Sequence, residues 1–255
     1  NIDNIVAKRG ALFMVNLKHE VIKRGFQVVH IKTDSIKIAD ATPEIIKFVM
    51  DYGRLYGYTF EHEATYDRMC LVNNAVYIAK FATVEKCMAL YGYAPGENME
   101  DGGEWTATGT QFQVPYVFKT LFSKEEITFD DMCETKTVTK GDICLDCNEG
   151  MGDNHNYVFV GRVGQFCPVI PGSGSGELIC HNGDKYSAVT GTKGYRWMES
   201  EVVRQLHLED TIDKSYYNKL VDDALAAINE YCDAEWFCSD AEYDHEFGIP
   251  GQVPF

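Results

Sequence analysis

Positive charge is what this 255-residue sequence most lacks: 23 Lys and Arg stand against 39 Asp and Glu, for a formal net charge of −16. Such a chain repels nucleic acid and anionic membranes at long range, so a nucleic-acid reading must rest on a local basic strip or on metal ions. Long apolar runs are also missing. None reaches the roughly 18 residues of a membrane span, and the N-terminus has no signal-peptide apolar region. These absences predict a soluble, intracellular protein with no membrane partner. No internal repeat is visible, and no Met opens the chain. Asn1 falls at the edge of a helical pattern (Ile5, Ala11, Leu12, Val15, Leu17, Val21, Ile22), as expected of a piece of something longer.

Close cysteine spacing is equally scarce. Nine cysteines, an odd count scattered through apolar or amphipathic stretches, suit a reducing compartment better than a disulfide framework. Only Cys144 and Cys147 have ligand spacing. Cys167 and Cys180 would complete a four-thiolate zinc set and a zinc-stabilised regulatory domain, but they lack close spacing, so core or solvated thiols are the favoured reading.

What is present is 45% hydrophobic composition, enough for one large domain or two smaller ones. The pattern predicts a first helix to about Arg24, stopped at Gly25, then a strand from Phe26 to Ile31 and a return strand from Ser35 to Ala39. Thr42-Pro43-Glu44 supplies a helix cap, a first-turn proline and a favourable acid. From Tyr58 to Phe81 the period becomes that of antiparallel strands, turning near Asp67 and at Asn73-Asn74. Glycine and acid then crowd a loop and hinge, Tyr93 to Trp105. Beyond it, helical pattern is interrupted at Pro115, "GDICLDCNEGMGDNHN" reads as a loop, Tyr157 to Val163 as a strand, and Arg196 to Leu206 and Ser215 to Phe237 as helices. An α+β fold follows: an antiparallel sheet with helices on one face (1–92), a linker (93–110), a mainly helical region with a small β insertion (111–238), and an acidic tail (239–255).

The stretch "VVHIKTDSIKI", Val28 to Ile38, holds the candidate chemistry. Turn-forming residues between two strand-like arms read as a hairpin whose tip exposes one carboxylate, Asp34. On the residues alone two readings stay open. Asp34 either bonds backbone amides in an ordinary turn, or hands an oxygen to a hard cation such as Mg²⁺, in which case a second acid must come from another strand. Lys32, two residues earlier, either contacts a phosphate, pairs with Asp34, or is a solvated surface lysine.

The order of elements around this tip resembles the palm of family-B, polymerase-alpha-like DNA polymerases, of phage type. Their third signature motif reads Tyr-Gly-Asp-Thr-Asp-Ser, and here the corresponding stretch is His30-Ile31-Lys32-Thr33-Asp34-Ser35. Asp34 matches the metal-binding second Asp, and Lys32 replaces the first. "NNAVYIAKF" stands where the family has a Lys-Lys-Arg-Tyr stretch on the primer-template, with Tyr77 retained and Lys80 as the nearest cation. "ATGTQFQVPYVFKTLF" stands where the thumb begins, and "YVFVGRVGQFCPVIPG" and "AVTGTKGYRWMESEVV" look like the C-terminal region of phage members. The family's first acidic motif and its triphosphate-binding helix lie upstream of this hairpin in the usual order and are absent from these 255 residues.

The resemblance therefore implies the C-terminal palm (1–92) and thumb (111–238) of a DNA-directed DNA polymerase, inactive alone. It implies two Mg²⁺ ions as cofactors, with Asp34 and the Thr33 backbone as ligands and Ser35 and Lys32 behind them. The implied DNA contacts are Tyr77, Lys80, Arg162, Lys193, Tyr195 and Arg196. The partners are primer-template DNA, a deoxynucleoside triphosphate and the missing N-terminal part, in the same or a separate chain. The expected compartment is the cytoplasm, that of the host for a viral protein. The alternatives are a non-catalytic palm-like binding module and one subunit of a split polymerase.

Overall fold

The computed structural model describes residues 4–148, 154–172 and 174–240. The expected acidic tail lies outside them except for Ser239 and Asp240. The chain divides into two compact units, Asn1–Gly109 and Thr110–Phe255, each α+β with antiparallel sheets. Among the described residues no helix is long and apolar enough to cross a membrane.

The first unit opens with α1 (Ile5–Lys23), whose buried residues Phe13, Met14, Leu17 and Val21 recur at helical spacing along one stripe. The chain leaves the helix through Gly25 at φ +86°, a left-handed conformation that glycine adopts without strain. The hairpin β1 (Val28–Ile31) and β2 (Ile36–Ile38) follows, then α2 (Pro43–Leu55). Here Thr42 is extended at the N-cap and Pro43 occupies the first turn, as expected. The Thr42 hydroxyl and the Glu44 amide hold the Glu44 carboxyl below its usual range. Helices and hairpin share one core of Phe13, Leu17, Val21, Ile45 and Val49, flanked by Ile31, Ile36, Tyr52, Tyr58 and Phe60. Gly53 makes room for Phe60: a Cβ there would lie 2.6 Å from the Phe60 ring.

A second sheet of the same unit orders β3 (Tyr66–Leu71), β4 (Tyr77–Phe81) and β5 (Trp105–Ala107) side by side. The turn between β3 and β4 sits at Asn73, whose Oδ1 accepts from the amides of Ala75 and Val76 at 2.9 and 3.0 Å. Asp67 lies within β3, so the turn expected there is absent. The expected loop Tyr93 to Trp105 contains a short helix, α4 (Gly96–Asp101), after α3 (Val84–Tyr91). Asn98 of α4 is fully buried; its amide donates to the Thr65 and Ala82 carbonyls at 2.8 Å each and accepts from the Thr65 amide at 2.8 Å. Those three bonds tie the segment to the sheet and give it an ordered path.

The second unit begins with α5 (Thr110–Gln113) and α6 (Pro115–Phe118), separated at Pro115 as expected, and a π turn over Lys119–Ser123. Seven strands follow: β6 (Glu134–Thr137), β7 (Asp142–Asp146), β8 (Tyr157–Gly161), β9 (Val163–Val169), β10 (Glu177–Asn182), β11 (Lys185–Ala188) and β12 (Arg196–Glu199). They form two sheets, ordered β11-β10-β7-β8 and β12-β9-β6. The β part of this unit is thus larger than the small insertion expected. "DICLD" is not loop but strand: with β8 and β10 on its two sides, Ile143 to Asp146 are all buried, so no alternation marks it.

Arg196–Glu199, read as the start of a helix, pairs as β12 with β9 from Arg196↔Val169 to Glu199↔Phe166, and α7 (Ser200–Gln205) begins only afterwards. Pairing across some thirty residues overrides the local period. Then come α8 (Lys214–Asn229) and α9 (Ala234–Phe237). The single long helix expected here is interrupted because Asp233 caps a new one, its carboxylate accepting from the Trp236 amide. Trp197, Phe166, Cys167, Leu178, Ile143 and Tyr217 join both sheets and α8 in one core.

Candidate functional site

The geometry of the β1–β2 hairpin turns on one extra residue. Val28 pairs with Ile38 and His30 with Lys37, so Val29 is a β-bulge. The bulge lets Val28 and Ile31 pack against the helical core together with Ile36 and Ile38. His30 and Lys37, directly opposite each other, meet a different set of neighbours. His30 Nε2 lies 3.2 Å from the Asn74 carbonyl, and among the described residues its buried Nδ1 has no hydrogen-bond partner. Lys37 Nζ stands 5.4 Å above the rings of both Tyr66 and Tyr77, and Lys32 Nζ 5.9 Å above Tyr77.

Charge and burial are mixed in this patch. Burial, helped by the charge of Lys32, pulls the Lys37 ammonium below its usual range, against the pull of Glu63 and Glu97. Burial and the neighbouring Glu63 push the Glu97 carboxyl up, with Lys37 opposing. The Tyr66 phenol is pushed up by burial and by Tyr77. Two ammonium groups over two tyrosine faces form a cationic–aromatic surface, the type of surface that suits phosphate and base contact.

Beyond Ile31↔Ile36, the Lys32 amide donates to the Ser35 carbonyl at 2.9 Å, leaving Thr33 and Asp34 as a two-residue tip. Asp34, Thr33 and Lys32 are exposed and Ser35 is half-buried. The Asp34 carboxylate has the Thr33 hydroxyl at 3.5 Å; among the described residues no backbone amide reaches it. Its oxygens therefore face solvent from a rigid two-stranded mount. Mg²⁺ takes one or two carboxylates and completes its octahedron with water and substrate phosphates. One carboxylate with the Thr33 carbonyl beside it fits the protein's share of such a site. Among the described residues no three His, Cys, Asp or Glu side chains converge into a metal-binding group.

Tyr77 and Lys32 are brought together at the tip, whereas Lys80 is not. On β4 it lies one residue off the Tyr77 alternation, its Nζ 5.8 Å over the Trp105 ring. In the second unit Arg162 is exposed at the turn between β8 and β9, and Lys193 is exposed in the turn before β12. Tyr195 is half-buried, edge-on to Tyr216 at 4.8 Å. Arg196 is committed internally: its guanidinium donates to Asn148 Oδ1 and O at 2.7 and 2.8 Å and to Ser175 O and Oγ at 2.7 and 3.3 Å. Those bonds make it a clamp between loops rather than a hand for phosphate. Three of the four cysteines of the zinc alternative are divided between the sheets, and Cys147 follows the end of β7. Cys144 and Cys180 lie on adjacent strands β7 and β10, while Cys167, on β9, has its Sγ 3.4 Å from that of Cys133.

Lys37 and Tyr66 escaped the sequence reading. The signal was there, a lysine opposite His30 in the return strand, but the bulge at Val29 hides that register from simple alternation. Comparison of the chain with protein-family models, with curated proteins and with solved structures found no match.

Proposed function

We propose that this chain is the palm end and thumb of a family-B-type DNA-directed DNA polymerase, working with an upstream partner segment in the same or a separate chain. The observation that carries the reading is the exposed Asp34 at a two-residue hairpin tip, next to Lys32, whose Nζ lies 5.9 Å over the Tyr77 ring. Asp34 and the Thr33 carbonyl would hold Mg²⁺, with Ser35 closing the turn behind them. Two such ions, when bound, supply Lewis-acid activation of the primer 3′-hydroxyl and neutralise the pyrophosphate leaving group.

The chain's own residues position. Lys32 and Lys37 over Tyr66 and Tyr77 offer positive charge and ring faces to backbone phosphate and sugar. Arg162 and Lys193 offer exposed cations in the second unit. Local cations and bound metal offset the net charge of −16 at the point of contact. The reading places the protein in the cytoplasm, with primer-template DNA and a deoxynucleoside triphosphate as substrates. The competing reading, a non-catalytic palm-like module, is favoured by there being no group of three metal-ligating side chains among the described residues.

The test is primer extension by this chain joined to the polypeptide encoded directly upstream of the Asn1 codon. Asp34→Asn abolishes extension and leaves the melting curve in place. Near-normal extension by Asp34→Asn removes the metal-ligand role. An upstream sequence lacking both an Asp-bearing strand motif and a Lys-bearing helix motif turns the conclusion to the non-catalytic module.

A further inference from the structure

Two thiols face each other in the second unit. The register of β6 on β9 ends with Glu134 opposite Phe166, and Cys133 and Cys167 are the next residues beyond that pair. Their Sγ atoms are 3.4 Å apart. Residues directly opposite on antiparallel strands have Cα atoms about 4.5–5.5 Å apart, inside the window of about 4.4–6.8 Å that a disulfide spans. A bridge would shorten the sulfur separation from 3.4 Å to about 2 Å.

Access to the two sulfurs is unequal. Cys167 is fully buried in the core, whereas Cys133, at the end of the 3₁₀ turn Asp130–Met132, is half-buried. Burial pushes both thiols up; at Cys133 the contact with Cys167 and the Arg204 guanidinium work against it while Asp130 and Asp131 add to it, and at Cys167 the neighbouring Cys133 and Asp130 add to it while Arg204 opposes. Arg204 is held beside the turn by Asp130, 2.7 Å from its carboxylate. An oxidant from solvent therefore meets Cys133 first, and the neighbouring Cys167 sulfur, 3.4 Å away, is placed to resolve what forms there.

We propose that Cys133 and Cys167 are a redox-modification site, a dithiol that hydroperoxides convert to a cross-strand disulfide. The Cys133 thiolate attacks the peroxide, the O–O bond breaks, and Cys133 sulfenic acid forms with release of an alcohol, or of water when the oxidant is hydrogen peroxide. The Cys167 sulfur then attacks the sulfenic sulfur; the S–S bond forms, and hydroxide leaves as water with the thiol proton. Two thiols are oxidised and one peroxide is reduced. The product ties the start of β6 to β9 and closes the chain between them. This site is independent of the polymerase reading.

The test treats the reduced full chain with hydrogen peroxide, blocks remaining thiols with N-ethylmaleimide and maps peptides without reduction. The expected result is a Cys133–Cys167 linked peptide pair that dithiothreitol separates and that Cys133→Ser lacks, with Cys167 recovered free in that variant. The melting temperature of the oxidised wild type rises by roughly 4 °C or more, and that of Cys133→Ser does not. The proposal is overturned if all thiols stay free, if Cys133 is recovered as sulfinic acid with Cys167 alkylated, if the bridge joins another pair, or if oxidation leaves melting unchanged. Because Cys133 is half-buried, Cys133→Ser carries the test where a Cys167 variant fails to fold, and circular dichroism checks the fold.

Discussion

The two units build their sheets by different mixtures of local and distant pairing. In the first, every strand pairs with its neighbour in sequence: β1 with β2, β3 with β4, β4 with β5. In the second, β7–β8 and β10–β11 are also sequence neighbours, but β9 lies between β6 and β12 and β7 between β8 and β10, so the other three pairings join strands separated by whole elements. Local pairing lets the first unit expose a charged tip without straining distant parts. Interleaved pairing makes each central strand of the second unit a shared wall, where one side chain supports several elements. A site suits the first arrangement and a rigid scaffold the second.

That contrast is tested most strongly at Trp197. It is fully buried on β12, donates through Nε1 to the Thr192 carbonyl at 3.1 Å, and packs edge-on against Tyr216 at 5.3 Å. Trp197→Ala costs about 3–5 kcal/mol in denaturant unfolding. It also lowers amide-exchange protection in β9 and β10 together; protection lost from β12 alone would break the comparison.

Next comes Asp131, buried at the foot of the π turn. Burial alone would raise its carboxyl, but the Thr128 amide, the Lys119 ammonium at 3.0 Å and the Thr128 hydroxyl hold it below the ordinary value. Asp131→Asn costs about 1–3 kcal/mol at neutral pH. A depressed carboxyl contributes stability that is present above its unfolded value of 3.8 and is lost as pH falls through the folded one. The variant therefore shows a smaller loss of stability than wild type when acidified below that value.

A change in the first unit should stay local. Thr83 caps α3, accepting from the Lys86 amide at 3.3 Å, and Thr83→Ala costs about 1 kcal/mol. Exchange speeds up in α3 while α1 and α2 keep their protection. Smallest of all is Asp34→Asn, an exposed tip change within about 0.5 kcal/mol of wild type in stability. A large destabilisation there would mean that the carboxylate is structural and would blunt the contrast from its other side.

The same contrast explains what the sequence made legible. The Thr42-Pro43-Glu44 helix start, the Gly25 exit, the Thr33-Asp34 tip and the Asn73 turn are written in adjacent residues, and each is found where the residues put it. Asn98 was not legible, because its partners Thr65 and Ala82 are chosen by folding and not by spacing. The strand character of Asp142–Asp146 and Arg196–Glu199 depends on partners far along the chain, so local period pointed to loop and helix instead. At the candidate site, Asp34 could be read from turn chemistry, while Lys37 depended on a one-residue bulge. Arg196 looked like a phosphate ligand because a guanidinium beside aromatics gives no hint that Asn148 and Ser175 will occupy it.

The order β12-β9-β6 also sets a schedule. As the chain leaves the ribosome, β9 finds β6 already made, but its other edge waits until Glu199 has emerged. During that interval Phe166 and Cys167 lack the strand that carries Trp197. The first unit has all its strands once Ala107 has appeared, and its sequence-adjacent pairings close short loops early. The hairpin that carries Asp34 is thus finished while the second unit is still being synthesised, and the delay at β9 is when a nascent chain most needs protection from its neighbours.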